Sequence, residues 1–142
     1  MRMSLLESTR FGWAMILLLL ALSVFHLLVI AGVAPREMVW GGGAGGGERT
    51  LFLEAIGILV SLGMASVAAA WIGLFAAVLP TWLLRALLWL IFAYFLMNTT
   101  ANLASSSPEE RAVFTPLSIV LSLLALRLAI GGRPERRGDS EV

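Results

Sequence analysis

Cysteine is absent from the 142 residues, histidine occurs once, and none of the ten basic residues is lysine. Each absence closes a chemistry. Without cysteine there is no thiol–disulfide exchange, no thiolate metal site and no S-acylation. Without lysine there is no lysine Schiff base and no lysine nucleophile. A single histidine, His26, rules out a bis-histidine haem within one protomer. Charge is also scarce, at 13% of residues with a formal net of +1, and the arginines are scattered along the chain rather than gathered into a nucleic-acid-binding patch. No metal site, cofactor or nucleic-acid partner is expected.

What fills the chain instead is apolar. Hydrophobic residues make up 59% and mean hydropathy is +0.92, which leaves too little polar surface to coat a soluble globule. Four apolar runs lie at about 11–34, 51–75, 81–104 and 112–131. Each is close to or above the ~20 residues that a helix needs to cross a ~30 Å hydrocarbon layer. Strands alternating every second residue are missing, so the backbone has to satisfy its polar groups inside helices. The reading is an all-α, four-transmembrane-helix bundle over 1–131, with helices at about 11–34, 51–75, 81–104 and 108–131, and a polar, disordered tail at 132–142. The first run, at about 23 residues, exceeds the ~7–15 of a signal-peptide core and reads as a retained first span.

Arginine bias sets the expected orientation. With four spans both termini share a side with the turn between the second and third, and that side holds Arg2, Arg10, Arg85, Arg127, Arg133, Arg136 and Arg137. The other side holds Arg36, Arg49 and Arg111. Positive charge in short loops stays cytoplasmic, so both termini are expected inside. Arg85 and Arg127 lie within apolar runs and are expected to snorkel to that interface. Trp13, Trp71 and Trp82 would lie at the inner boundary and Trp40 at the outer.

Local signals mark the connections. The run Gly41-Gly42-Gly43-Ala44-Gly45-Gly46-Gly47 matches a G-x-G-x-x-G spacing, but no strand precedes it and no Lys-Ser/Thr follows, so it reads as a mobile linker. Ser107-Pro108-Glu109-Glu110 is a helix start: serine as cap, proline at the first helical position, glutamate three residues after the cap. Pro116 is expected to kink that helix or restart it after Thr115. In the second span Gly57, Ser61, Ala65, Ala69, Gly73 and Ala77 recur every four residues, a small-residue stripe expected to pack closely on a neighbouring helix or a second protomer.

Polar residues inside the spans give the one functional lead. By helical rise, Glu54, Asn98 and His26 lie roughly 7, 9 and 12 Å below the outer ends of their helices. Tyr94, Asn98 and Asn102 form a four-residue stripe, and Ser118 and Ser122 an i, i+4 pair. His26, Glu54, Tyr94, Asn98, Asn102 and Ser118 could therefore share one layer in the outer half of the bundle, where a carboxylate and an imidazole can exchange a proton. The reading put first for these residues is that they hold the helices together. Glu37, Glu48, Arg49, Glu109, Glu110 and Arg111 are expected to be solvated or to pair across the rim.

Two stretches carry a resemblance. Gly32-Val33-Ala34-Pro35-Arg36-Glu37-Met38-Val39-Trp40-Gly41-Gly42 resembles the G-x-P…WGG segment of a group of small bacterial integral membrane proteins of uncharacterised function. Asn98-Thr99-Thr100-Ala101-Asn102-Leu103-Ala104-Ser105, continuing into Glu110-Arg111 and Thr115-Pro116, is similar to that group's LNTxGNLxS and E-R…TP elements. Ala101 stands where a glycine is usual, and glycines replace a basic residue after Gly42. The resemblance implies four spans in a bacterial inner membrane; it supplies no activity.

Three functions follow in order: a structural or accessory membrane protein, self-associating as a homodimer or in a larger complex; a proton- or cation-coupled transporter or channel subunit using the polar layer; and a membrane enzyme acting on lipid. The last lacks support, because His26 is solitary, no aspartate precedes Asp139, and Ser105, Ser106 and Ser107 have no evident partner base.

Overall fold

A computed structural model describes residues 5–35, 39, 47–75 and 79–133. Among these there are four helices and no strand: α1 (Leu5–Ile30), α2 (Gly47–Trp71), α3 (Thr81–Leu103) and α4 (Pro108–Ile130). All four are long and apolar enough to cross a membrane. Their outward faces carry large apolar side chains, including Leu17, Phe52, Leu59, Leu90, Met97 and Leu123. A surface of that kind is suited to hydrocarbon rather than water, so the chain is a multi-pass membrane protein.

The ends of α1 and α2 fall short of their apolar runs for the same reason. Gly32 and Gly73 adopt φ of 73° and 81°. At each, the glycine N–H and the following N–H turn back onto carbonyls of the last turn: Gly32 to Val29 and Val33 to Leu28, Gly73 to Ala70 and Leu74 to Ala69. This double closure ends a helix at a left-handed residue. Gly73 is thus a terminator beyond α2 rather than a residue of its packing stripe, and Ala77 lies outside the described residues, as do Trp40, Gly41–Gly46 and 134–142.

The α4 start has the expected serine cap, with Ser107 Oγ accepting from the Glu110 N–H. The reciprocal bond differs. Ser105 Oγ sits between the partners, donating to Glu110 Oε2 and accepting from the Ser107 N–H. Past Pro116, α4 continues as one helix to Ile130 rather than restarting.

α1 packs chiefly on α2, and α3 on α4, so the bundle is two helical hairpins laid together; between the hairpins α1 meets α4 and α2 meets α3, each less closely than the helices within a hairpin. The core joins Met15, Ile16 and Leu19 of α1 with Ala65, Ala68 and Trp71 of α2, Leu84, Leu88 and Phe95 of α3, and Leu121, Ala125 and Leu128 of α4. Ser61, Ala65 and Ala69 are buried within the chain. Trp71, expected at the lipid boundary, is fully buried, with the Arg85 guanidinium 5.6 Å from its ring centroid and its indole Nε1 without a hydrogen-bond partner among the described residues. The hairpins are tied at this end by Arg133, which donates to the Ala70 carbonyl and to Thr81 Oγ1, and by Ser8, which donates to the Gly132 carbonyl.

Candidate functional site: a buried imidazole–carboxylate pair beside an intramembrane cavity

At the opposite end, where α1 stops and α4 begins, the hairpins part around a cavity of about 810 Å³ lined by all four helices. This falls in the range of small-molecule sites, roughly 300–1,000 Å³. One end is polar, with Arg49, Asn98, Asn102, Ser105 and Glu110; the deeper part is apolar, with Met64, Phe95, Leu117 and Leu121 among its walls.

His26 of α1 also lines the cavity. It is brought inward by the α1 face that also buries Met15, Leu19 and Ser23, spaced at three and four residues. Its Nδ1 lies 2.6 Å from Oε2 of Glu54 on α2. Glu54 is fully buried, does not line the cavity, and stands behind the imidazole. With Glu54 ionised the carboxylate only accepts, and a neutral ring in this contact would carry its proton on Nδ1 and leave Nε2 with its lone pair. Nε2 has no hydrogen-bond partner among the described residues.

Gly57 makes room for this arrangement. It sits one turn after Glu54 and beneath the ring: a Cβ built there would come within 2.8 Å of both Cε1 and Nε2. His26 and Gly57 both line the cavity, so the free edge of the imidazole borders it. Two further polar groups on the wall have no hydrogen-bond partner among the described residues: Ser61 of α2, which is 96% buried, and Asn98 of α3.

The remaining polar residues form a second group. Ser118 Oγ donates to the Thr115 carbonyl and accepts from Asn102 Nδ2 at 3.4 Å. Thr99 Oγ1 lies 3.0 Å from Ser118 Oγ and 2.8 Å from the Phe95 carbonyl. Ser122 donates to the Phe92 carbonyl of α3. Tyr94 borders the cavity but is substantially exposed.

The sequence layer is therefore two assemblies around one cavity: His26 with Glu54 across α1 and α2, and Asn102 with Ser118 and Thr99 across α3 and α4. Sequence reasoning missed Ser61, read only as a small packing residue, and Thr99, whose bonding to Ser118 needs the helix pair. Glu110 is buried and bonded to Ser105 rather than solvated, so Ser105 does have a carboxylate partner. Its spacing of five residues across a turn gave no periodic signal. Among the described residues no cluster of three or more potential ligands could hold a metal ion.

Compared with known proteins, the chain matches no family model, no curated protein and no solved structure.

Proposed function

We propose that this protein is a proton-linked carrier, or the subunit of one, in a bacterial inner membrane, with both termini cytoplasmic. The observation that carries this reading is the placement of the pair: Glu54 wholly buried behind His26, and the free edge of His26 against the cavity. A mere fastening of α1 to α2 needs neither an ionisable group nor a cavity. Neutral polar contacts between membrane helices contribute about 0.6 kcal/mol on average, whereas a carboxylate inside a span carries a cost, ~2.5 kcal/mol or more at the centre and less towards an interface. In this mechanism Nε2 of His26 takes up a proton from the cavity, and Glu54 holds the Nδ1 proton and balances the imidazolium charge. Solute and proton then occupy one chamber and influence each other's binding.

The test is flux in reconstituted vesicles bearing a pH gradient. A panel of amphiphiles with cationic, neutral and anionic heads is added, and gradient dissipation is followed with a trapped pH dye. Wild type is expected to dissipate the gradient with at least one head class, and Glu54→Gln and His26→Asn to lose that response while remaining folded. An unimpaired response in Glu54→Gln removes the proposal.

Orientation rests on arginine bias. Arg10, Arg85, Arg127 and Arg133 gather at the end tied by Ser8, Thr81 and Gly132, against Arg49 and Arg111 at the cavity end among the described residues. Because the chain has no cysteine, Ser106→Cys and Gly132→Cys can each be labelled with an impermeant maleimide. Labelling of Ser106→Cys alone from the periplasmic side is expected; labelling of Gly132→Cys instead reverses the topology.

A structural role is favoured for the second assembly. Thr99, Asn102, Ser118 and Ser122 spend their hydrogen bonds between or within α3 and α4.

A further inference from the structure

We infer that the cavity takes an uncharged amphiphile with a hydroxyl head, a single-chain alcohol that enters sideways from the bilayer between α2 and α3. The inference rests on the carrier reading and names its solute class.

The polar atoms on the wall choose the head. The free edge of His26, the Ser61 hydroxyl and the Asn98 amide line the cavity without hydrogen-bond partners among the described residues. Ser61 is only 4% exposed and stands one turn beyond Gly57 on the same face of α2. Ser66, on the outward side of that helix, closes instead onto the Leu62 carbonyl. Neither Ser61 nor Asn98 ties one helix to another, in contrast to Thr99, Asn102 and Ser118. A polar group left unpaired at such depth is costly, and an occupant with a matching head removes that cost.

A hydroxyl both donates and accepts. It donates to a bare Nε2 or accepts from a protonated one, so the fit holds whichever partner of the His26–Glu54 pair carries the proton. Its oxygen also accepts from Ser61 or from the Asn98 amide. A carboxylate or an ether only accepts, and a quaternary ammonium does neither. A full charge would also have to give up its water to reach Ser61, at a far higher cost than a hydroxyl.

The deeper walls choose the body. Met64, Phe95, Leu117 and Leu121 surround the apolar part of the cavity, which suits a hydrocarbon chain. Tyr94 lines the cavity and is 42% exposed on the outer surface of α3, so the cavity and the lipid-facing surface meet there. On the α2 side the wall includes Leu53 and Val60, and α2 packs on α3 less closely than on α1. A chain dissolved in the bilayer thus reaches the polar groups through that seam without crossing the aqueous rim.

The experiment uses a decanol analogue with a diazirine at its far end, photolysed with the protein in phosphatidylcholine nanodiscs, and maps the labelled residues by mass spectrometry. Label is expected on Met64, Phe95, Leu117 or Leu121. Unlabelled decanol should displace it at a membrane concentration at least about tenfold lower than decyl methyl ether, decanoate or decyltrimethylammonium. Ser61→Ala should weaken capture by about the same factor, and Ser66→Ala should leave it unchanged. A folding defect in Ser61→Ala is set aside by a readout on the wild-type protein: the ¹⁵N signals of its only histidine should move with decanol and stay in place with decane. Label confined to lipid-facing residues such as Leu59 and Leu90 would mean that no alcohol enters, and the inference falls. Equal displacement by the ether or by a charged chain would mean that the hydroxyl is not what is recognised, and it falls again. In both cases the carrier reading stands if another head class gives a vesicle response that Glu54→Gln abolishes. Capture without a vesicle response to any head overturns the carrier reading and, with it, the alcohol as solute.

Discussion

The imidazole of His26 lies directly over Gly57, so close that a Cβ at that position would come within 2.8 Å of Cε1 and Nε2. The helix that supplies Glu54 thereby also supplies the gap into which its partner fits. Gly57→Ala is expected to push the ring away and to break the 2.6 Å contact with Glu54. Overpacking of this kind costs about 1–3 kcal/mol, and vesicle flux should fall with it. Gly63 is the control, since a Cβ added there would meet nothing within 4 Å. Gly63→Ala should be neutral or stabilising by less than about 1 kcal/mol. Equal losses at both positions would show that the steric account is wrong.

The tautomer of His26 can be read without assignment, because there is no other histidine in the chain. At a pH where the ring is neutral, ¹⁵N spectra of the protein in bilayers should show Nδ1 protonated and Nε2 bare. Glu54→Gln retains a carbonyl acceptor and should keep this form. Glu54→Leu should release it to a mixture. An Nε2-protonated ring in wild type would mean that the pair's proton sits on Glu54, which then donates to Nδ1.

The two polar assemblies should separate under mutation. Replacing the pair by His26→Leu with Glu54→Leu removes both partners of a buried interaction, which is often neutral or stabilising by ~1–4 kcal/mol. Unfolding in bicelles should show no loss of stability while flux disappears. Ser118→Ala should do the opposite, lowering stability by about 0.6–1.7 kcal/mol and leaving flux in place. If Ser118→Ala abolishes flux in a stable protein, the division between the assemblies is mistaken.

The glycines that end α1 and α2 make a prediction independent of function. Gly32 and Gly73 have positive φ, and no atom lies within 4 Å of a side chain added at either. Only backbone conformation opposes alanine there, at roughly 1–2 kcal/mol. Gly32→Ala and Gly73→Ala should each lower stability by that amount. No change would mean that the two turns are not held in the left-handed form.

The sequence by itself determined the number of spans, because crossing hydrocarbon demands about 20 apolar residues whatever the packing, and it marked the α4 start through Ser107 and Pro108. It also pointed to His26, Glu54, Asn98, Asn102 and Ser118, since a polar side chain among apolar neighbours stands out without any coordinates. Helix ends were less legible: α1 and α2 stop at Gly32 and Gly73, inside apolar runs, because helix termination is a property of backbone dihedrals and not of hydrophobicity. Trp71 could not be distinguished from a boundary tryptophan until the Ala-rich face of α2 was seen turned inward. Which polar residue meets which was decided only by tertiary structure. His26 and Glu54 are 28 residues apart, and their contact depends on how two helices are rotated and staggered, which periodicity within either helix does not specify. The cavity belongs to no single helix: it exists because the two hairpins close tightly at the Arg133 end and part around His26.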